Sequence, residues 1–409
     1  MNIELEFTRR VFHDTVQLPA SKSISNRVLI INALADNHIP VENLSDCDDT
    51  RNMLKVLQSD RACFDVGHAG TAMRFLTAFL SRIAGKWEIT GSERMKQRPI
   101  AVLVDALNKL GARIEYLEKT GCPPLRIYGS HITGGELEIS ASVSSQYISA
   151  LMMIAPFMDR GLVLKLTGKT VSRTYIEMTA GIMREFGAKV ETGDSVIQVF
   201  PGDYRPVPYK VEADWSGASY FYEMLAVSNG GEICLPGLNG KSWQGDARQT
   251  GVWAQLGIET HFLGEQVVLR KKTPEVRRLV YDFVEMPDLV QSFAVACCLL
   301  EIPFYFSGVE TLRIKETDRI AGLIQELSKL GYRLGTDENG CLLWDGTHGE
   351  KGEAVINTYD DHRMAMAFAP AALHFPGLTI CDKEVVSKSF PAYWEQMEKL
   401  GGKIIEKSH

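Results

Sequence analysis

The chain has 409 residues, with 44 lysines and arginines against 51 aspartates and glutamates, for a net charge of −7. That length suggests two or three domains, and 45% hydrophobic with 23% charged residues excludes a disordered or collagen-like chain. An acidic balance gives no footprint for nucleic acid, because tracking phosphates needs a basic excess, so any anion site must be local.

From the N-terminus, MNIELEFTRR carries two glutamates and no apolar core, so it does not read as a signal peptide. A first helix without a polar face follows, SNRVLIINALA from about residue 21. Five more of the same kind are TAMRFLTAFLS, SSQYISALMMIAPF, SGASYFYEMLAV, PDLVQSFAVACCLL and HRMAMAFAPAAL, from about 71, 145, 217, 288 and 361. Such helices belong inside a core. Between them runs an amphipathic set, each helix leading into a strand-like run: MLKVLQSDRACFDV, ALNKLGARIEYLE, IMREFGAKVE, VWAQLGIETHF, ELSKLGYRLG and QMEKLGGKIIE. The last five end at Gly111, Gly187, Gly257, Gly331 and Gly401, at intervals of 76, 70, 74 and 70. Glycine there is the helix C-terminal residue that accepts a left-handed conformation, and the first copy, from Met53, lacks it. The repeat predicts six α/β units in two clusters of three. Serine and charge near Pro19–Lys22, and serine, glycine and charge near Asp214–Gly217, mark two crossings. The expected domains are therefore 20–213, and 214–409 completed by the N-terminal strand within 1–19.

The longest apolar stretches, such as Tyr147 to Met158, fall short of the ~18–20 residues a spanning helix needs, so no membrane partner is expected. Eight cysteines form no CxxC pair, and Cys297 and Cys298 lie in an apolar run. Buried thiols in a reducing cytoplasm are the expectation.

Chemistry collects at the starts of the apolar helices. Lys22 and Arg27 open the first, Gly70 and Arg74 the second, Ser144, Ser145 and Gln146 the third, Asp288 the fifth, and Asp360-Asp361-His362-Arg363 the sixth. A cation at a helix N-terminus opposes the macrodipole, and its repetition at three helices points to bound phosphate or carboxylate. Two more basic clusters fit this reading. Lys315 and Arg319 of RIKETDR are four apart, which predicts a shared helical face where like charges repel. Arg94, Lys96 and Arg98 precede a helix expected to start at Pro99. A carboxylate such as Asp288, following Pro287, also suits a plain N-cap. Thr167-Gly168-Lys169-Thr170 resembles the end of a phosphate-binding P-loop, but Val163 stands where that motif needs glycine. No H-x-x-x-H spacing for a metal occurs.

In their order, LPASKSISNR, GHAGTAMR, SERMKQRPI, SSQYISALMM, VSRTYIEMT, MPDLVQSFA, RIKETDR, YDDHRMAMA and SKSFPAYWEQM resemble the 5-enolpyruvylshikimate-3-phosphate (EPSP) synthase family from about Leu18 to Trp394. The resemblance implies an α/β fold of two similar domains joined by two crossover segments. Each holds three βαβαββ-type units around buried helices, an inside-out α/β barrel. It implies transfer of the enolpyruvyl group of phosphoenolpyruvate to the 5-hydroxyl of shikimate 3-phosphate, with release of phosphate, in the shikimate pathway of aromatic amino acid biosynthesis. No metal or organic cofactor is implied, and a cytoplasmic monomer is expected. By the same resemblance, Lys22, His68, Gly70, Arg98, Gln146, Arg319, Arg363 and Lys388 surround phosphoenolpyruvate. Ser23, Arg27, Ser144, Ser145, Ser172, Tyr175, Asp288, Thr311 and Lys315 hold shikimate 3-phosphate. Asp288 accepts the hydroxyl proton, and Glu316 with Lys22 handles protons at the enol carbons. A carboxylate among so many cations should be held ionised.

The chain departs from the family pattern at His68 and Thr311, where asparagine is usual, at Ala20 for glycine, and at Asp360 for asparagine. These bear on affinity and inhibitor sensitivity more than on the reaction. Gly70 leaves room beside the enolpyruvyl site, so glyphosate is expected to compete with phosphoenolpyruvate. One alternative is the sister enzyme acting on UDP-N-acetylglucosamine, which usually carries a reactive cysteine before an Arg-Pro dipeptide; the loop from Thr90 to Pro99 has none. The other is a non-catalytic anion-binding descendant, against which stands the retention of every proposed proton-transfer residue.

Overall fold

Helices with no polar face must be enclosed, and here they form the middle of two cores. The computed structural model describes residues 1–140, 144–168 and 172–407. Lys169 and Thr170 of the P-loop-like segment lie outside them. The chain divides into two compact units, Ala20–Val211 and Met1–Pro19 with Glu212–His409. The second boundary between the units lies at Val211–Glu212, and Asp214 caps the helix that follows, accepting from the Gly217 N–H at 3.0 Å.

The unit Ala20–Val211 contains α1 (Lys22–Leu34), α2 (Asp48–Leu57), α3 (Gly70–Arg82), α4 (Ala101–Lys109), α5 (Ser145–Ile154) and α6 (Arg173–Glu185). The other contains α7 (Trp215–Val227), α8 (Gln249–Gln255), α9 (Val290–Leu299), α10 (Arg319–Lys329), α11 (His362–Phe368) and α12 (Tyr393–Lys399). Odd-numbered helices are the apolar set, and every residue of α9 and α11 is buried. Even-numbered helices bury one face, as in α10, where Ile320, Leu323 and Leu327 point inward. α4 starts at Ala101, two residues after the expected Pro99.

One motif recurs: strand, apolar helix, parallel strand, amphipathic helix, then an antiparallel hairpin. Gly135–Ser140, α5, Leu162–Thr167, α6, Val190–Thr192 and Val196–Val199 show it, with the first two strands parallel. The parallel step requires a crossover, which the apolar helix supplies. Among the described residues, the unit Ala20–Val211 has two such four-stranded sheets and the other unit three. Asn2–Phe7 is the closing strand of one, between Leu378–Ile380 and Gly402–Lys407, and Val11–Thr15 opens another beside Gly230–Pro236. The motif around α1 and α2 is reduced to a single parallel bridge, Glu42 with Lys210. After α2 the chain enters the next sheet at Cys63–Asp65 without a hairpin of its own. This accounts for the missing glycine in that copy. The five repeat glycines take φ between 86° and 109° and reverse the chain into a strand, whereas Gln58 stays at −98°.

Candidate active site

In the unit made of residues 1–19 and 212–407, charged side chains meet where α9, α10 and α11 begin. Asp288 lies in the 3₁₀ turn Pro287–Leu289, which leads into α9. Arg319 is the first residue of α10, and Asp361 caps α11 by accepting from the Arg363 N–H at 2.9 Å. Arg319, 1% exposed, donates to Asp288 at 3.0 Å, Glu316 at 3.0 Å, and Asp361 at 2.7 and 3.3 Å. Arg363 takes the other Asp288 oxygen at 2.8 Å, and Lys388 takes the other Glu316 oxygen at 2.6 Å. Lys315 Nζ stands 3.8 Å from Asp288.

Burial alone would raise the Asp288 carboxyl, but the charges of Arg363, Lys315 and Arg319 outweigh it and hold the group well below the ordinary carboxylate range. Asp288 is thus held ionised by its cation partners, and it accepts no cap hydrogen bond in this turn. Lys315 is pushed down by burial, with Asp288 opposing that shift. The expected shared helical face of Lys315 and Arg319 is corrected: α10 starts only at Arg319, capped by Asp318 on the Ala321 N–H at 3.0 Å. Lys315 lies in the preceding loop, and both cations reach Asp288 instead of repelling along a helix. Thr311 lies in the turn Glu310–Ile314, its hydroxyl buried with no hydrogen-bond partner among the described residues.

In the unit Ala20–Val211, three groupings form. Arg27 is buried and donates to Thr179 Oγ1 at 2.7 Å, Ser149 Oγ at 3.2 Å, and the Ser23 and Tyr175 carbonyls at 2.8 and 3.4 Å. Its guanidinium also covers the Phe75 and Tyr175 rings. Burial holds it below the usual arginine value, at about 10. At the start of α3, a Cβ on Gly70 would meet Arg98 Nη1 at 2.7 Å and Arg74 Nη1 at 3.0 Å. Without a side chain at this position, the two guanidiniums can converge on the Gly70 backbone, and a Cβ would push them aside. Gln146 completes this group, accepting from Arg74 at 2.7 Å and donating to Thr71 Oγ1 at 3.2 Å. The third grouping pairs Lys22 with the buried Asp49 at 3.5 Å. Ser144 caps α5, Ser145 is its buried first residue, and Ser172 precedes α6 at φ 56°. His68 is exposed, with Nδ1 3.1 Å from Ser92 Oγ. Lys96 turns to the surface between Glu93 and Glu118.

A family model, EPSP synthase (3-phosphoshikimate 1-carboxyvinyltransferase), matches residues 9–62 and 58–397. The chain belongs to the EPSP synthase family. A 3-phosphoshikimate 1-carboxyvinyltransferase of Bacteroides fragilis is 52% identical over 95% of each chain, and one of Photobacterium profundum is 37% identical over 94% of this chain and 96% of its own. The solved EPSP synthase of Acinetobacter baumannii shares the fold, with a TM-score of 0.79 at 20% identity, covering 99% of this chain and 100% of its own.

Asp49, Arg74, Asp246 and Asp361 were not among the residues given a substrate-binding or catalytic role from the sequence. Arg74 and Asp361 had a signal, as charged residues at apolar helix starts. Asp246 had none. It is buried in the turn Gly245–Arg248, takes the Ser216 hydroxyl, and is pushed up to about 7 by burial and by the Asp288 charge.

Proposed function

We infer that this chain transfers the enolpyruvyl group of phosphoenolpyruvate to the 5-hydroxyl of shikimate 3-phosphate and releases phosphate. The full-length kinship with the Bacteroides fragilis enzyme carries this reading. The hydroxyl oxygen adds to C2 of the enol as C3 gains a proton, giving a tetrahedral intermediate. Loss of a C3 proton and of phosphate then restores the double bond. Asp288, held ionised, takes the 5-hydroxyl proton. Glu316 and Lys22 carry the proton to and from C3. Lys22, His68, the Gly70 backbone, Arg98, Gln146, Arg319, Arg363 and Lys388 bind phosphoenolpyruvate. Ser23, Arg27, Ser144, Ser145, Ser172, Tyr175, Thr311 and Lys315 bind shikimate 3-phosphate alongside Asp288. No helix among the described residues is long and apolar enough to cross a membrane. A cytoplasmic monomer is the working form we propose.

The test mixes purified protein with both substrates, follows phosphate, and weighs the product. A parallel reaction offers UDP-N-acetylglucosamine. Adduct in the first alone is expected, and adduct in the second alone would sink the reading. Asp288→Asn should lower turnover roughly 10²- to 10⁴-fold, the range of a lost general base. Near-normal turnover by that variant would remove Asp288 from the role.

A further inference from the structure

Immediately before Asp361 the backbone is left-handed twice in succession, at Tyr359 (φ 54°) and Asp360 (φ 56°). Neither is glycine, and a bulky residue keeps that conformation only where its surroundings impose it. One face of α10 imposes it. Arg319, Gly322 and Glu326 stand at i, i+3 and i+7 and line one stripe of the helix. At the first position Arg319 takes the Asp361 carboxylate at 2.7 Å. At the second, the Tyr359 ring crosses the helix: a Cβ on Gly322 would lie 3.6 Å from Tyr359 Cδ2 and 3.3 Å from Met364 Cε. At the third, Glu326 is fully buried, accepting the Tyr359 hydroxyl on one oxygen and the Asn357 N–H on the other at 3.0 Å. Lys329 donates to the same Glu326 oxygen at 2.5 Å and to the Val355 carbonyl at 2.9 Å. Residues 355–363 are thereby tied to α10 at both ends and in the middle.

We propose that Glu326 is a positioning residue of the active site. Through Tyr359 and Asn357 it fixes the left-handed turn, and the turn sets the angle at which Asp361 meets Arg319 and Arg363 presents its guanidinium. The proposal rests on the enolpyruvyl-transfer reading, which assigns both arginines to phosphoenolpyruvate. Planar guanidinium recognition of carboxylate or phosphate depends on orientation, so a relaxed turn weakens it even with every donor present. Shikimate 3-phosphate, assigned chiefly to residues of Ala20–Val211, should be little affected.

The experiment uses the full chain with Tyr359→Phe, which removes the hydroxyl and keeps the ring on Gly322, and with Glu326→Gln. The expected result is a KM for phosphoenolpyruvate raised roughly ten- to a hundredfold, as for small misplacements of binding groups. The KM for shikimate 3-phosphate and the melting temperature should stay close to the parent values. Unchanged KM for phosphoenolpyruvate in a folded variant overturns the proposal. So do both KM values rising together with a fall in melting temperature. If Glu326→Gln does not fold, Tyr359→Phe decides alone. Hydrogen exchange of the 355–363 amides is read alongside, with faster exchange expected in Tyr359→Phe. An inert parent protein with that faster exchange would sink the transfer reading and keep the turn-fixing role. Unchanged exchange would sink the role itself.

Discussion

Arg319, in the unit made of residues 1–19 and 212–407, is surrounded by three carboxylates, Asp288, Glu316 and Asp361. Arg27, in the unit Ala20–Val211, is as deeply buried, yet its partners among the described residues are hydroxyls, backbone carbonyls and two aromatic faces. Burial disfavours both cations. At Arg319 the carboxylates reverse that and push it above the ordinary arginine value, while Arg27 is left at about 10. One unit surrounds Arg319 with its own carboxylates, and in the other Arg27 has none among the described residues. A buried cation short of a counter-charge is stabilised by an anionic ligand, whereas a paired lattice fixes geometry before any ligand arrives. Under the proposed function, the first unit would hold Asp288 in place beside the phosphoenolpyruvate-binding cations, and Arg27 of the second would meet the shikimate 3-phosphate anion.

The difference can be broken most directly by removing each arginine. Arg319→Ala would leave three carboxylates crowded without their shared cation and should cost about 3–5 kcal/mol of stability, the usual penalty for breaking a buried pair. Arg27→Ala removes hydrogen bonds to neutral groups and should cost roughly 1–3 kcal/mol. Urea unfolding of both variants measures this, and equal losses would erase the distinction drawn between the units.

A pH series sharpens it from the other side. Asp246, beside the carboxylate lattice, is raised from 3.8 to about 7 by burial first and Asp288 second. The folded protein then holds a proton that the unfolded chain has released between about pH 4 and 7, so this group makes stability fall as pH rises through that window and adds no slope above it. Asp246→Asn should remove up to about 4 kcal/mol of that fall, at about 1.4 kcal/mol per pH unit. Unfolding free energies at pH 5 and pH 7 that differ equally in variant and parent would show Asp246 to be ordinary. The smallest effect is expected at His68, which is exposed. His68→Asn should shift the KM for phosphoenolpyruvate by no more than about fivefold, the worth of one modest hydrogen bond.

The helices were legible because their causes are local. Apolar runs of helical length, glycines every 70–76 residues and charged residues at helix starts all act over a few neighbours. Where the reading slipped, distant contacts decided. Lys315 and Arg319 looked like neighbours on one helix until Asp318 capped α10 between them. Asp49 drew no notice and Asp361 was seen only as one of several charges at a helix start, since an aspartate there carries the same local signal whether it caps or pairs with a remote cation. Asp288, Arg319 and Arg363 stood out locally as charges near helix starts, but their roles came through resemblance, and no spacing in the chain announces that Arg319 and Arg363 share the Asp288 carboxylate.

By itself, then, the sequence determined the α/β class, the alternation of enclosed and half-exposed helices, and the list of cations from which an anion site could be made. Hydrophobic periodicity and glycine backbone freedom suffice for that, because each is satisfied within one element. Only the tertiary structure decided which carboxylate meets which cation, that Asp288 is held ionised, and that Glu326 reaches Tyr359. A charge's state depends on burial and on groups a few ångströms away in space, and the partners that Arg319 and Arg363 find in Asp288, and Tyr359 in Glu326, lie 31 to 75 residues away in sequence.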